Sequence, residues 1–216
     1  RLVGGLELAA APDGASQLRL RPHDRQQPLV VPGLLHEVAG AAAHRLDRDT
    51  TGCLVLGRHR KALALLGKLF KQGKVGKSYW AVVEGGPEAE EGQIDIPLSK
   101  RDESRGWWMK ADKTGLPSTT TWTVMGRGSG LTWLALEPVT GRTHQLRVHC
   151  AEMGWPIVGD NIYGKAPRTG GPALHLHSRE VTVPISKNKP AVKVTAPVPE
   201  HMRGMLSTCG WTREIQ

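Results

Sequence analysis

The strongest hydrophobic pattern lies at residues 59–72. Ala62, Leu65, Leu66, Leu69 and Phe70 recur at helical spacing, lysines stand at 61, 68 and 71, and Gly73 is placed as a stop. Just before it, Cys53-Leu54-Val55-Leu56 is a continuous apolar run of the kind a buried strand needs. Residues 77–84 alternate instead. Tyr79, Ala81 and Val83 point one way and Trp80, Val82 and Glu84 the other, until Gly85-Gly86-Pro87 ends the strand. A short strand follows around Ile94-Asp95-Ile96, then a polar, basic connection over residues 99–117. Residues 119–124 and 131–136 are β-rich and read as a hairpin turning through Gly126-Arg127-Gly128-Ser129-Gly130. A helix over 143–153 closed by Gly154, and strands near 174–183 and 192–196, complete the readable part. Before residue 44 the signal is weak. Leu18 and Leu20 suit a short exposed strand, Leu29-Val30-Val31 a brief apolar one stopped by Pro32-Gly33, and an alanine-rich stretch runs to Ala43.

Most β-runs are joined by short turns and only two helices stand out. That pattern predicts an α+β fold with a mixed, largely antiparallel sheet and not a βαβ wind. No internal repeat or long flexible linker divides the chain. The expected organisation is one domain over 28–216, preceded by an N-terminal segment, 1–27, without defined structure.

Charge narrows the class of partner. Lysine and arginine number 29 against 20 aspartates and glutamates, a formal +9. A field of that sign favours polyanions. The three cysteines, Cys53, Cys150 and Cys209, are widely spaced with no C-x-x-C pair, which argues against a disulfide framework or a structural zinc site and for a reducing, cytoplasmic setting. No apolar run approaches the ~20 residues of a membrane helix, and no signal-peptide hydrophobic region is read. Nucleotide-binding glycine loops are missing. His144, His149 and Cys150, or His175 and His177, lack the spacing and third ligand of a zinc enzyme, so no metal is expected.

Two segments concentrate chemistry. His44-Arg45-Leu46-Asp47-Arg48-Asp49-Thr50-Thr51-Gly52 packs two arginines and two aspartates against the start of an apolar strand. A carboxylate held there, with arginines keeping it ionised, is a competent nucleophile; by charge pattern alone an ion-paired surface loop is the simpler reading. Thr140-Gly141-Arg142-Thr143-His144-Gln145-Leu146-Arg147-Val148-His149 gathers donors where a helix starts. It fits phosphate binding, partnership with a buried carboxylate, or an ordinary polar helix start. Trp107 and Trp108, near Arg101, Arg105 and Lys110, are either base-stacking residues or half-buried loop aromatics.

The first of these segments resembles the H-R-L-D-x-x-T-S-G signature of the RluA-type pseudouridine synthases, with Thr51 in place of the usual serine. Lys77-Ser78-Tyr79-Trp80-Ala81-Val82-Val83-Glu84-Gly85 resembles that family's K-x-Y-x-A-x-V-x-G strand. Residues 140–149, continued by Gly154-Trp155-Pro156-Ile157-Val158-Gly159-Asp160 and Tyr163-Gly164, resemble its third block. The likeness covers about residues 44–185. It departs at Leu29-Val30-Val31-Pro32-Gly33, which lacks the family's usual lysine, and no S4-like basic domain is read. The resemblance implies the pseudouridine synthase catalytic fold and an isomerase acting on uridines of rRNA or tRNA. It implies Asp47 as nucleophile, Arg147 as its ion-pair partner, and Tyr79 as the wall against the base and a candidate general base. Arg45 is expected to fill the space a flipped nucleotide leaves, Leu146 to pack beneath the site, and Arg142 and His144 to lie on the substrate side. No cofactor, membrane or obligatory protein partner is implied, and a monomer is expected. A silent RNA-binding or RNA-chaperone module on the same fold is the rival reading.

Overall fold

The computed structural model describes residues 6–10, 41–101, 108–186 and 188–212. The sequence readings at 18–20, 29–31 and Trp107 lie outside these residues. Strand β3 (Thr51–Gly57) carries the apolar run, and helix α1 (Arg60–Lys71) follows it. His59 caps α1 by accepting the Ala62 N–H through Nδ1 at 3.1 Å, while Lys68 and Lys71 face the negative end of the helix dipole. Gly73 takes φ +65°, the left-handed stop that its position predicts. Strands β1 (Leu6–Ala10) and β2 (Ala41–Ala42) both pair antiparallel with β3. A strand at 6–10 was not readable in the sequence.

The main sheet adds β4 (Gly76–Glu84), β5 (Glu91–Asp95), β8 (Thr119–Gly128), β9 (Leu131–Pro138), β10 (Leu176–Val183) and β11 (Val192–Thr195). Its order is β1-β3-β10-β4-β9-β8-β5, with β2 beside β3 and β11 beside β10. Among the described residues only β10 against β3 is parallel, where His177 and Ser178 face Thr51 and Gly52. The sheet is thus mixed and largely antiparallel, and with three helices among the described residues the fold is α+β. The alternation of β4 is used on both faces. Ala81 and Val83 join Leu134, Leu136, Leu146 and Leu176 on one side; Val82 joins Trp133, Met202 and Leu206 on the other.

Four expectations change in detail. The connection over 99–117 is not featureless, because β6 (Leu98–Lys100) and β7 (Met109–Ala111) pair there as a small second sheet. The hairpin turns on Ser129 and Gly130 alone, both at positive φ, while Gly126 and Gly128 stay within β8. A Cβ on either glycine would come within 1.9 Å of a carbonyl oxygen, Cys209 O or Thr208 O, at the end of helix α3 (Glu200–Thr208). The third helix escaped sequence reading because only Met202 and Leu206 are buried along it and Gly204 interrupts its middle. Helix α2 (Gln145–Glu152) starts two residues later than expected, after His144 in a left-handed conformation at φ 52°.

Candidate active site

The segment 43–50 is pinned to the sheet by its backbone and by one imidazole. Ala43 N–H donates to Val55 O, and Val55 N–H donates to His44 Nε2 at 3.0 Å. The His44 ring stacks on Phe70 of α1 with centroids 4.7 Å apart. Burial lowers its pKa to about 4, so His44 is neutral and its Nε2 is free to accept. The chain then turns, with Thr50 N–H donating to Asp47 O, and Asp47 emerges with its side chain 18% exposed.

Three segments converge on that carboxylate. Arg45 Nη2 lies 4.0 Å from Asp47 Oδ1 and His144 Nε2 lies 3.9 Å from the same oxygen. His144 is also neutral: burial, followed by the charge of Arg147, lowers its pKa to about 4. Its Nδ1 is 2.9 Å from the Tyr163 hydroxyl, which itself accepts the Met109 N–H of β7 at 2.9 Å. A neutral imidazole with its proton on Nε2 satisfies this chain, and that proton faces Asp47.

Arg147 does not pair with Asp47 as expected. Its guanidinium makes two charge-assisted bonds to Asp160, Nε to Oδ2 at 2.8 Å and Nη2 to Oδ1 at 2.7 Å. Asp160 also accepts the N–H groups of Ile162 and Tyr163, and these bonds hold its carboxyl below the usual range despite burial. The Tyr163 ring lies under the Arg147 guanidinium at 5.5 Å. Arg147 therefore acts on Asp47 through space, from a position Asp160 sets. The net direction at Asp47 also differs from expectation. Burial raises its pKa, and the attraction of Arg147 and then Arg45 only partly offsets this.

Tyr79 stands on β4 opposite Ser178 of β10, and it packs against the core cluster that contains Ala81, Leu136 and Leu146. Burial, with the nearby charge of Asp47 adding to it, pushes its phenol up to about 12. At neutral pH Tyr79 is a protonated phenol, which speaks against a tyrosinate base and fits the wall reading. Leu146 is buried in the same core cluster. A groove of about 1230 Å³ opens above, lined by Arg45, Asp47, Tyr79, Leu146 and Arg142, with the end of α1 along one side. Arg142 is exposed at the rim, its Nε donating to Pro117 O at 3.3 Å.

Sequence reasoning gave no role to several residues that hold this arrangement. Gln145 is buried and ties residues 140–142 to β8. It accepts from Thr140 Oγ1 and Arg142 N–H and donates to Thr119 O and Thr120 Oγ1. Asp160 and Tyr163 were visible only as letters of a motif. The other histidines weighed as metal ligands have structural partners: His149 contacts Thr120 Oγ1 and Ile96 O, His175 contacts Ala173 O, and His177 contacts Thr51 Oγ1. The guanidinium groups of Arg101 and Arg168 lie 6.0 and 5.9 Å from the Trp108 ring centroid.

An open, cation-rimmed groove over one half-buried carboxylate, on an antiparallel α+β sheet, has the makings of an enzyme site for a polyanionic substrate. Comparison with known proteins gives the family. The profile of the RNA pseudouridylate synthase family matches residues 22–152, beginning upstream of the motifs recognised above. A Zymomonas mobilis protein described as an uncharacterized RNA pseudouridine synthase is 43% identical over 159 residues, 73% of this chain and 72% of that protein. The ribosomal large subunit pseudouridine synthase C of Haemophilus ducreyi is 34% identical over 171 residues, 76% of this chain but only 53% of that protein. This chain thus spans about half the length of some of the relatives it matches. The solved structure of human RNA pseudouridylate synthase domain containing 1 superposes with a TM-score of 0.66 at 30% identity, covering 74% of this chain and 69% of that one. The chain belongs to the RNA pseudouridylate synthase family, a family of isomerases.

Proposed function

We propose that this chain converts uridine to pseudouridine in ribosomal or transfer RNA, with Asp47 as the nucleophile. The observation that carries the reading is convergence. Asp47 and Tyr79, far apart in sequence, line one groove, and Arg147, held by Asp160, acts on Asp47 through space. The name of the Haemophilus relative supports rRNA as one substrate class. The reaction breaks the N1–C1′ bond, rotates the uracil and rejoins it through C5; N1 gains a proton and C5 loses one. The uridine leaves its stack to reach the groove floor. Tyr79 then offers an aromatic face and a hydroxyl proton to the base. Asp47 acts ionised, either at C1′ or by taking the C2′ proton. Arg147 and Arg45 favour that ionised form against burial. The setting is a reducing cytoplasm, with which three buried free cysteines are compatible.

The test is tritium release from RNA labelled with 5-³H-uridine, since C5 loses its hydrogen only if the new bond forms. Wild-type protein should release tritium from unmodified rRNA or tRNA, and Asp47→Asn should release none. Retained RNA binding with no release from either pool would make this chain a binding module instead.

A further inference from the structure

We propose that Lys77 holds a phosphodiester flanking the target uridine, on the α1 side of the groove. This rests on the function proposed above and adds a substrate contact to it. Lys77 stands two residues before Tyr79 on β4, on the same strand face, and lines the groove. Its ammonium lies against the third motif's loop: a Cβ built on Gly141 would be 3.8 Å from Nζ, the nearest atom it would meet. It is also close enough to His44 for its charge to disfavour the imidazolium there. The cation therefore bridges the first and third motif segments across the mouth of the site.

Lys77 has no counter-ion among the described residues. Burial lowers its pKa and no carboxylate offsets this. Glu180, an acid of the same groove, is paired with Lys193 at 2.8 Å. Nor does Lys77 serve the nucleophile, because the cations that act on Asp47 are Arg147 and Arg45. Half-burying an ammonium without a partner costs free energy, so the free protein gains nothing from it. An anion arriving from outside turns that cost into a charge-assisted contact in a poorly hydrated place. RNA carries one such anion per nucleotide. With the uracil against Tyr79 and C1′ at Asp47, Lys77, two residues along β4 in the same groove, stands within reach of a neighbouring phosphodiester.

Binding is measured in an Asp47→Asn background, so turnover does not enter. The probes are unmodified rRNA and tRNA transcripts, titrated by filter binding across a salt series. Adding Lys77→Gln should weaken affinity about tenfold, the worth of one charged hydrogen bond. It should also make the salt slope shallower by about 0.7, the share of one phosphate contact on an unpaired strand. Lys77→Arg should restore most of the loss. In the otherwise wild-type enzyme, Lys77→Gln should raise KM more than it lowers kcat. Its melting temperature should not fall, because an unpaired buried charge is removed; Lys77→Met provides a second neutral variant. Unchanged affinity and slope in both neutral variants would overturn the proposal. So would equal damage from Lys77→Arg, which would mark a role of shape. Loss of tritium release with this binding pattern intact would overturn the reaction and leave the phosphate contact standing.

Discussion

At Asp47 two influences oppose each other. Burial favours the neutral acid, Arg147 and Arg45 favour the carboxylate, and burial wins. An acid with a folded pKa above its unfolded value binds its proton more tightly when folded. Its carboxylate therefore costs stability at neutral pH, and the cost disappears as pH falls below the unfolded pKa. Asp47→Asn should consequently melt no lower than wild type while losing all activity. In the proposed reaction Asp47 acts as the carboxylate, so kcat/KM should fall with decreasing pH along a limb centred above the ordinary aspartate range. Arg45→Gln should move that limb further up. A limb at or below the ordinary range, or a lower melting temperature for Asp47→Asn, would contradict this account. Asp160 has the reverse sign. Its pKa is depressed, so its contribution is present above the unfolded value and lost as pH falls through the folded one. One carboxylate is thus buried at some cost to stability, and the other anchors the arginine that acts on it.

Among the elements, the packing of α3 on β8 makes a prediction that separates glycines by what surrounds them. Gly126→Ala and Gly128→Ala would each drive a Cβ into a backbone carbonyl of the chain leaving α3, where neither side can give. Each should destabilise by about 1–3 kcal/mol or more. Gly67 in α1 and Gly204 in α3 are exposed, with nothing within 4 Å of a built Cβ. Alanine there should stabilise by about 0.5–1 kcal/mol. Thermal or urea unfolding of the four variants checks both signs, and a neutral Gly126→Ala would refute the close approach. The same elements show how far the sequence could be read. β3, α1, β4 and the β8–β9 pair were legible because each carries its own period of apolar residues against a clear stop. The β6–β7 pair was not, since three-residue strands hold too few positions to show a period. Helix α3 was hidden by Gly204 and by having only two buried side chains. The candidate site was legible as residue types, but the partner of Arg147 was not. A motif places arginine and aspartate in one neighbourhood, and only the fold decides that Asp160, with two further N–H groups to satisfy, takes the guanidinium.

Across the whole molecule, the excess of 29 basic over 20 acidic residues becomes meaningful only once it is placed. The groove presents Arg45, Lys71, Lys77 and Arg142 around its opening, while two of its acids are engaged, Asp47 at the floor and Glu180 with Lys193. If these four cations meet four phosphates of an unpaired strand, each contact contributes about −0.7 to the slope of log affinity against log salt, giving about −3. Raising salt from about 50 to 200 mM should then weaken binding by some sixtyfold. Filter binding of Asp47→Asn protein to unmodified rRNA and tRNA transcripts measures this without turnover. A slope shallower than about −1 would mean that the strand does not run through the groove mouth. The site would then have to reach its uridine from a surface other than the one these cations line. A slope much steeper than about −3 would mean that basic residues away from the groove share the RNA. The slope therefore reports how much of the molecule's charge is committed to the opening above Asp47.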